Sequence, residues 1–465
     1  MLIERIYDED LAQAAYLIGC QATGEAIIID GRRDLAPLLD LAASHGMKVV
    51  AAAETHIHAD YLSGTREIAA ATGATAYVSG EGGTDWQYDF DAERLHDGDT
   101  IKIGNITIEA VHTPGHTPEH LSYLVTDGAF ADEPGYFLTG DFVFSGDLGR
   151  PDLLDEAAGG IDTRFVGAKQ QFQSLKQKFL TLPDHVMVYP GHGAGSACGK
   201  ALGALPSTTV GYERRFAWWA KYLDANDEQG FVDELLAGQP DAPAYFGRMK
   251  RQNRQGPAVM GQRPALIELD PTVVQQGIDS GELVFFDTRA ADQVNACTVR
   301  GSVAVPNPSK IATWGGWAFD PETDKRGLVV YAADADAAQL IADHLVRVGI
   351  DDVRGYLSSI DDLDTFTPEI VPVAKVDGFD RAELLDVRAK SEYAAGHLPG
   401  AVQLHAGRLL WNQNQLPQDG KVLLYCQSGM RATVAANALR SRGYDVAQVD
   451  GSYNAWVAAD LPIEK

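Results

Sequence analysis

The run Thr55-His56-Ile57-His58-Ala59-Asp60-Tyr61 holds three potential metal ligands within five residues, directly after the apolar stretch Val49-Val50-Ala51-Ala52-Ala53. Two imidazoles and a carboxylate packed that closely suit a first-row transition metal rather than calcium or magnesium, which take oxygen ligands. Three later segments repeat the arrangement: Thr113-Pro114-Gly115-His116, Thr139-Gly140-Asp141 and Tyr189-Pro190-Gly191-His192. Each places one His or Asp at the end of a short apolar strand. Unrelated surface histidines and turn residues would require four coincidences. The four loops are therefore expected to meet on one rim and form one site.

The His-x-His-x-Asp run and the three later ligands together resemble the metallo-β-lactamase superfamily over roughly the first half of the chain. The resemblance implies an αββα sandwich with metal on the loop rim. In the dinuclear zinc hydrolases of that superfamily, such as glyoxalase II, His56, His58, His116 and Asp141 would hold one metal. Asp60, the following histidine, Asp141 and His192 would hold the second. Here the following residue is Tyr61. A neutral phenol, with a pKa of about 10, is a poor ligand near neutral pH, so a single metal is expected. His56, His116 and Asp141 alone would be a facial two-His-one-carboxylate set with open positions, the arrangement of non-haem Fe(II) enzymes. The sequence is similar to the persulfide dioxygenases (sulfur dioxygenases) of the superfamily, which use that triad. On that resemblance the chain carries one Fe(II), and His58, Asp60, Tyr61 and His192 orient ligands or line the substrate pocket. Whether His58 also ligates stays open.

Arg150 has two readings, a binder of an anionic substrate tail or a structural ion pair. Arg214 and Arg215 are weaker candidates for the same role. His112 and His120 are expected to be surface or packing residues, and Asp147 and Asp152 turn residues. Cys198 lies in the small-residue segment Gly193-Ala194-Gly195-Ser196-Ala197-Cys198-Gly199-Lys200. That segment resembles bacterial fusions of a persulfide dioxygenase with rhodanese domains, on which Cys198 either accepts persulfide sulfur or is a buried inert thiol.

A second kind of chemistry lies near the C-terminus. Cys426 follows the apolar run Val422-Leu423-Leu424-Tyr425, and Gln427-Ser428-Gly429-Met430-Arg431 leads into a helical pattern. Such a loop can turn backbone N–H groups toward the sulfur, and a helix N-terminus and an arginine favour a thiolate or a bound persulfide. The loop resembles that of the rhodaneses, and Asp386-Val387-Arg388, Glu392-Tyr393 and Gly396-His397-Leu398-Pro399-Gly400-Ala401 agree with that family. Cys426 and Arg431 would be catalytic, with Gln427, Ser428, Gly429 and Met430 forming the sulfur-binding loop. Four residues separate Cys from Arg, where the Cys-based phosphatases have five, and the tighter ring suits sulfur over phosphate.

The elements that must position these groups follow from the pattern. Residues 1–245 read as short strands with interspersed helices and are expected to be the metallo-β-lactamase-like domain. The basic stretch Gly247-Arg248-Met249-Lys250-Arg251-Gln252-Asn253-Arg254-Gln255-Gly256 falls in what reads as a solvated linker, 246–264. Beyond it the chain repeats. Phe285-Phe286-Asp287-Thr288-Arg289 matches Leu384-Leu385-Asp386-Val387-Arg388, and a glycine lies fourteen residues past each Asp, at Gly301 and Gly400. Alternating strand and helix predict two rhodanese-like parallel-sheet α/β domains, at 265–368 and 369–465. The first has Ala332-Ala333-Asp334-Ala335-Asp336 where the second has Cys426. It is expected to be a structural or interface module.

A net charge of -27 disfavours nucleic acid and anionic membranes as partners. No stretch reaches transmembrane length, the charged N-terminus lacks an apolar signal core, and four scattered cysteines without a CxxC pair fit a reducing cytoplasm. The expected partners are a thiol persulfide (of glutathione, coenzyme A or similar), O2, and sulfite or thiosulfate. Related enzymes imply self-association as a dimer or tetramer. The combined expectation is an iron persulfide dioxygenase that makes sulfite, coupled to a sulfurtransferase that interconverts sulfite and persulfide with thiosulfate. The alternatives are a dinuclear zinc thioester hydrolase of the glyoxalase II type with accessory rhodanese domains, and a sulfur-relay scaffold.

Overall fold

The strand Gln13–Cys20 shows how the first half of the chain is built, because it is buried on both faces. Side chains alternate across a strand. Ala14, Tyr16 and Ile18 accordingly enter one apolar cluster, and Ala15 and Leu17 another. The strands Glu25–Ile29 and Lys48–Ala53 divide in the same way: Ile27, Ile29, Ala51 and Ala53 face one side, Ala26, Ile28, Val49 and Ala52 the other. Near-continuous apolar runs of this kind mark strands covered on both faces. The computed structural model describes residues 1–158, 163–378, 384–416 and 420–465.

Chain contacts divide the protein into two units, Met1–Gln239 with Phe246–Gln262, and Pro240–Tyr245 with Arg263–Lys465. In the first unit six strands run in sequence order from Leu2–Asp8 to Glu93–Leu95 in one sheet. The second sheet, also of six strands, runs from Thr208–Thr209 through Met187–Pro190, Tyr136–Gly140, Leu121–Asp127 and Ile106–His112 to Thr100–Ile103. Their inner faces share one core, with Tyr16, Ile27 and Ala53 packed with Ile108, Tyr123 and Leu138. Helices Ala36–Ser44 and Thr65–Thr72 contribute Leu38, Ala42 and Ile68 to the outer face of the first sheet. Helix Thr163–Ser174 covers the second, with Phe172 in a cluster that holds Phe137, Phe179 and Trp219. The result is the expected helix–sheet–sheet–helix sandwich.

Two expectations need correction. Residues 246–255 are not a solvated linker but a helix, Phe246–Gln255, that belongs to the first unit and buries Phe246, Met249 and Asn253. The first domain also does not extend to 245, since Pro240–Tyr245 belongs to the second unit. There the Ala244 N–H donates to the Gly407 carbonyl at 2.9 Å, and the Lys390 N–H donates to Asp241 Oδ2 at 2.8 Å.

Among its described residues the second unit contains two parallel sheets built to one plan. One orders Val303–Ala304, Leu283–Asp287, Gly327–Tyr331 and Val353–Leu357, all parallel. The other orders Val402–Gln403, Leu384–Asp386, Val422–Tyr425 and Val446–Val449, again parallel, with Ile370–Val371 added at the edge. An ion pair repeats with the strands. Arg289 grips Asp287 and Arg388 grips Asp386, in each case with Nη2–Oδ2 at 2.6 Å. Among the described residues, no helix is long and apolar enough to cross a membrane.

Candidate functional site

The predicted ligands leave the ends of their strands and converge. His56 follows Lys48–Ala53, His116 follows Ile106–His112, Asp141 follows Tyr136–Gly140 and His192 follows Met187–Pro190. Gly140 makes the sharp turn before Asp141 possible. Its φ of +49° is left-handed, and a Cβ there would lie 2.6 Å from Thr55 Oγ1. One ligand atom from each of His56, His116 and Asp141 lies within 4.8 Å of the others, and all three residues are buried. Asp60, His192 and Cys198 form a second group on the same terms. Asp141 lies next to both, with His116 Nε2 3.6 Å from its Oδ2 and His192 Nε2 3.5 Å from its Oδ1.

Each imidazole is aimed by a partner on its other nitrogen. His116 Nδ1 lies 2.9 Å from the Arg150 carbonyl, and His192 Nδ1 lies 2.9 Å from the Ala12 carbonyl. A carbonyl only accepts, so both rings carry a proton on Nδ1 and turn Nε2 toward Asp141. His56 Nδ1 meets Thr55 Oγ1 at 2.9 Å, and that hydroxyl donates to Asp30 Oδ2 at 2.9 Å, so His56 also presents Nε2. His58 is turned the other way. Its Nε2 faces Asp30 Oδ1 at 3.0 Å, and Nδ1 is the nitrogen turned away from that carboxylate.

These groups fit a transition-metal ion. Asp141 Oδ2 and His58 Nδ1 are buried with no hydrogen-bond partner among the described residues, a costly state for a carboxylate oxygen unless a cation compensates it. Burial, reinforced by the neighbouring imidazoles His58, His116, His120 and His192, holds His56 well below the usual histidine range. Burial also pulls His116 down, against the pull of Asp141. Burial pushes Asp141 up, but His192, His116, His58 and His120 outweigh it and lower its pKa. Neutral imidazoles beside an ionised carboxylate are a ligand set ready for metal. His58 differs. Burial lowers it, yet Asp30, Asp60 and Glu54 raise it to about 9.

Tyr61 is fully buried, donates to the Asp30 carbonyl at 3.0 Å and accepts from Gln13 Nε2 at 3.2 Å. Its hydroxyl is thus engaged away from Asp60. Arg150 is buried, and its guanidinium pairs with Asp152 (Nε–Oδ1 2.7 Å, Nη2–Oδ2 2.6 Å) and donates to the Ala197 carbonyl at 3.2 Å. Of its two readings, the structure realises the ion pair. Burial, Asp141 and Asp60 push the Cys198 thiol well above its usual range. Arg214 donates to the Leu180 and Leu182 carbonyls and pairs with Asp184, a structural role. His112 donates to the Pro118 carbonyl outside the site.

Two contributors were missed. Asp30 anchors the ligand loop through His58, Thr55 Oγ1 and the Thr55 N–H at 2.7 Å. It ends the apolar strand Glu25–Ile29, so it carries the same strand-end signature as Asp141. Buried His120 does more than pack, since its Nε2 accepts the Asp141 N–H at 3.1 Å.

In the second unit, Cys426 ends the strand Val422–Tyr425 and precedes the helix Met430–Arg440. Gly429 caps that helix at φ +108° with no side chain, and its N–H donates to Cys426 Sγ at 3.1 Å. The Cys426 N–H donates to Ser452 Oγ at 3.2 Å. Arg431 makes a bidentate pair with Glu392 at 2.6 and 2.8 Å, so its charge is shared with a carboxylate rather than reserved for sulfur. Gln427 ties the loop to Arg388 (3.1 Å) and Asn454 (2.6 Å). Ser428 lies exposed at the crest of the loop and Met430 half-buried at the helix start. In the other copy, Asp334 caps the equivalent helix, Ala335–Arg347, and accepts the Ala337 N–H at 2.9 Å. The helix cap that Gly429 leaves without a side chain is filled here by a carboxylate.

Comparison with known proteins agrees with this division. Residues 8–192 match the family model of the metallo-beta-lactamase superfamily, and residues 374–459 that of the rhodanese-like domain. A hydroxyacylglutathione hydrolase of Rhodospirillum rubrum is 32% identical over 250 residues, covering 51% of this chain and 80% of the relative. The human mitochondrial persulfide dioxygenase ETHE1 is 28% identical over 194 residues, covering 41% of this chain and 68% of the relative. A crystal structure of a metallo-beta-lactamase from Staphylococcus aureus subsp. aureus COL is 36% identical, covers 76% of this chain and 98% of that one, and superposes with a TM-score of 0.65.

Proposed function

Because the chain belongs to the metallo-β-lactamase superfamily and carries a C-terminal rhodanese-like domain, we propose that it is a persulfide dioxygenase fused to a sulfurtransferase. The first unit would oxidise a low-molecular-weight persulfide: R–S–SH + O2 + H2O → R–SH + SO3²⁻ + 2 H⁺. The observation that carries this reading is the buried two-His-one-carboxylate group His56, His116 and Asp141 beside a Tyr61 whose hydroxyl is spent on Asp30 and Gln13. Those three residues would hold one Fe(II). Bound there, the ion would supply open positions at which persulfide and dioxygen meet and are activated. The chain does the rest. Arg150, Ala12 and Thr55 fix the faces of the three Nδ1-protonated imidazoles. Asp60, His192 and Cys198 bring hydrogen-bonding groups against the triad. The burial of all six excludes bulk water from a reactive product.

Cys426 would take the outer sulfur of a persulfide, releasing R–S⁻, and pass it to sulfite. Thiosulfate leaves and the thiolate is regenerated. The Gly429 N–H already donates to Cys426 Sγ, the atom that would carry the transferred sulfur. The segment 265–368 is, on this reading, a rhodanese-like copy that has lost its nucleophile. Glutathione and coenzyme A are the candidate carriers, and glutathione stands in the name of one relative.

A second reading is a dinuclear zinc thioester hydrolase. It is favoured by the Asp60–His192–Cys198 group, in which a thiol stands in for the ligand lost at Tyr61. Substituting Asp141→Ala decides for or against the iron triad. The variant is expected to retain no iron and take up no oxygen, and normal uptake would refute the assignment.

A further inference from the structure

The helix Phe246–Gln255 lies outside the stretch that matches the superfamily, residues 8–192, yet it reaches the ligand loop. Asn253 is fully buried and spends its whole side chain there. Its Nδ2 donates to the carbonyls of His58 (2.8 Å) and Tyr61 (2.7 Å), and its Oδ1 accepts the Ser63 N–H at 2.9 Å. Lys250 lies three residues earlier, on the same face of the helix. Its ammonium sits 3.6 Å from the centre of the Trp86 ring, which packs against the cluster that holds Ile57, and, against the rise that burial causes, its charge pulls the buried Glu119 carboxyl down. Glu119 Oε1 in turn accepts the Ile57 N–H at 2.8 Å. The backbone around His56, His58 and Asp60 is thereby held at residues 57, 58, 61 and 63.

This backbone needs such support. It is buried and lies outside the named strands, so its N–H and C=O groups need partners beyond a strand ladder. The chain beyond the helix is strapped to the same region. Arg66 donates to the carbonyls of Gly256 (2.9 Å) and Pro257 (2.7 Å), and Glu67 accepts the N–H groups of Met260 (2.8 Å) and Gly261 (2.7 Å).

We propose that this helix is the positioning element of the metal centre, and that Asn253 and Lys250 are positioning residues that set the aim of the loop carrying His56, His58 and Asp60. The inference rests on the reading of His56, His116 and Asp141 as a metal site, whichever metal they take.

The test uses the full chain loaded with Co(II), with affinity measured by chelator competition and ligand geometry by the ligand-field absorption. Asn253→Ala is expected to weaken Co(II) binding by roughly 10- to 100-fold, the usual effect of removing a partner that orients ligands, and to shift the absorption bands. Lys250→Gln is expected to weaken it in the same direction, with Lys250→Arg restoring it. This pair carries the test should Asn253→Ala fail to accumulate. Met249→Ala, which loosens the buried apolar contact of the same helix, is expected to lower the thermal midpoint but keep affinity and spectrum. Wild-type affinity and spectrum in Asn253→Ala and Lys250→Gln would overturn the inference. So would an equal loss in Met249→Ala, which would mean that the helix acts through stability alone. A wild-type protein that binds no Co(II) would instead remove the metal reading beneath it.

Discussion

Replacing Arg150 with Ala separates a structural role from substrate binding. Arg150 and Asp152 are both buried, and the pair is bidentate, with donor–acceptor distances of 2.7 and 2.6 Å. Deleting one partner of such a pair leaves an uncompensated charge and costs about 3–5 kcal/mol. The lost bond to the Ala197 carbonyl (3.2 Å) adds a further contribution of about 1 kcal/mol. With a total of ~5 kcal/mol, and about 2–4 °C per kcal/mol for a unit of this size, the thermal midpoint of the first unit should fall by roughly 10–20 °C. Scanning calorimetry of the full chain reads this directly. Arg150→Lys should recover only part of the loss, because an ammonium lacks the planar fork that matches Asp152. The reasoning fails if Arg150→Ala melts within about 2 °C of wild type while its KM for persulfide rises steeply. That outcome would make Arg150 the anchor of an anionic substrate tail.

Cys426→Ser should leave oxygen uptake intact while sulfite replaces thiosulfate among the products, and unchanged thiosulfate would refute the relay. His405 should make the second unit acid-sensitive. Burial, with Arg431 and Arg408, lowers its pKa to about 4 against Asp241 and Glu392, and its Nδ1 accepts the Gly407 N–H at 3.1 Å. The unfolded chain, with a histidine pKa of about 6.5, therefore binds the proton more readily. The stabilisation is complete above pH ~6.5 and is lost as pH falls toward ~4, a change of about 3 kcal/mol. Urea midpoints between pH 7 and 4.5 should drop more in wild type than in His405→Asn. Equal slopes would show that His405 does not carry the effect.

The rim of the metal site was legible because its ligands share one local signature, an apolar strand that empties into a His or Asp. Asp30 bears the same signature at the end of Ala26-Ile27-Ile28-Ile29. It went unread because its work is done at a distance, on Thr55 and His58, twenty-five and twenty-eight residues on. Asn253 was hidden differently. Phe246, Met249 and Asn253 stand at i, i+3 and i+7, a buried helical stripe, but the arginines and lysine between them made the segment look solvated. Arg150 could not be decided from sequence, since a buried ion pair and an anion site use the same side chain. The repeat of Asp287-Thr288-Arg289 in Asp386-Val387-Arg388 was readable because its geometry is local, with Arg two residues from its Asp in both copies. The exchange of Cys426 for Ala332 was readable too. That Asp334, two residues after Ala332, fills the helix cap needed the fold.

The central claim is that a single ferrous ion at His56, His116 and Asp141 makes the first unit an oxygenase. The most direct measurement is metal content of anaerobically purified protein, coupled to an oxygen electrode and sulfite assay with a panel of persulfides. The account predicts one iron per chain, one O2 consumed per sulfite formed and no turnover under argon. Two zinc ions per chain, with thioester cleavage that proceeds equally well without oxygen, would contradict it.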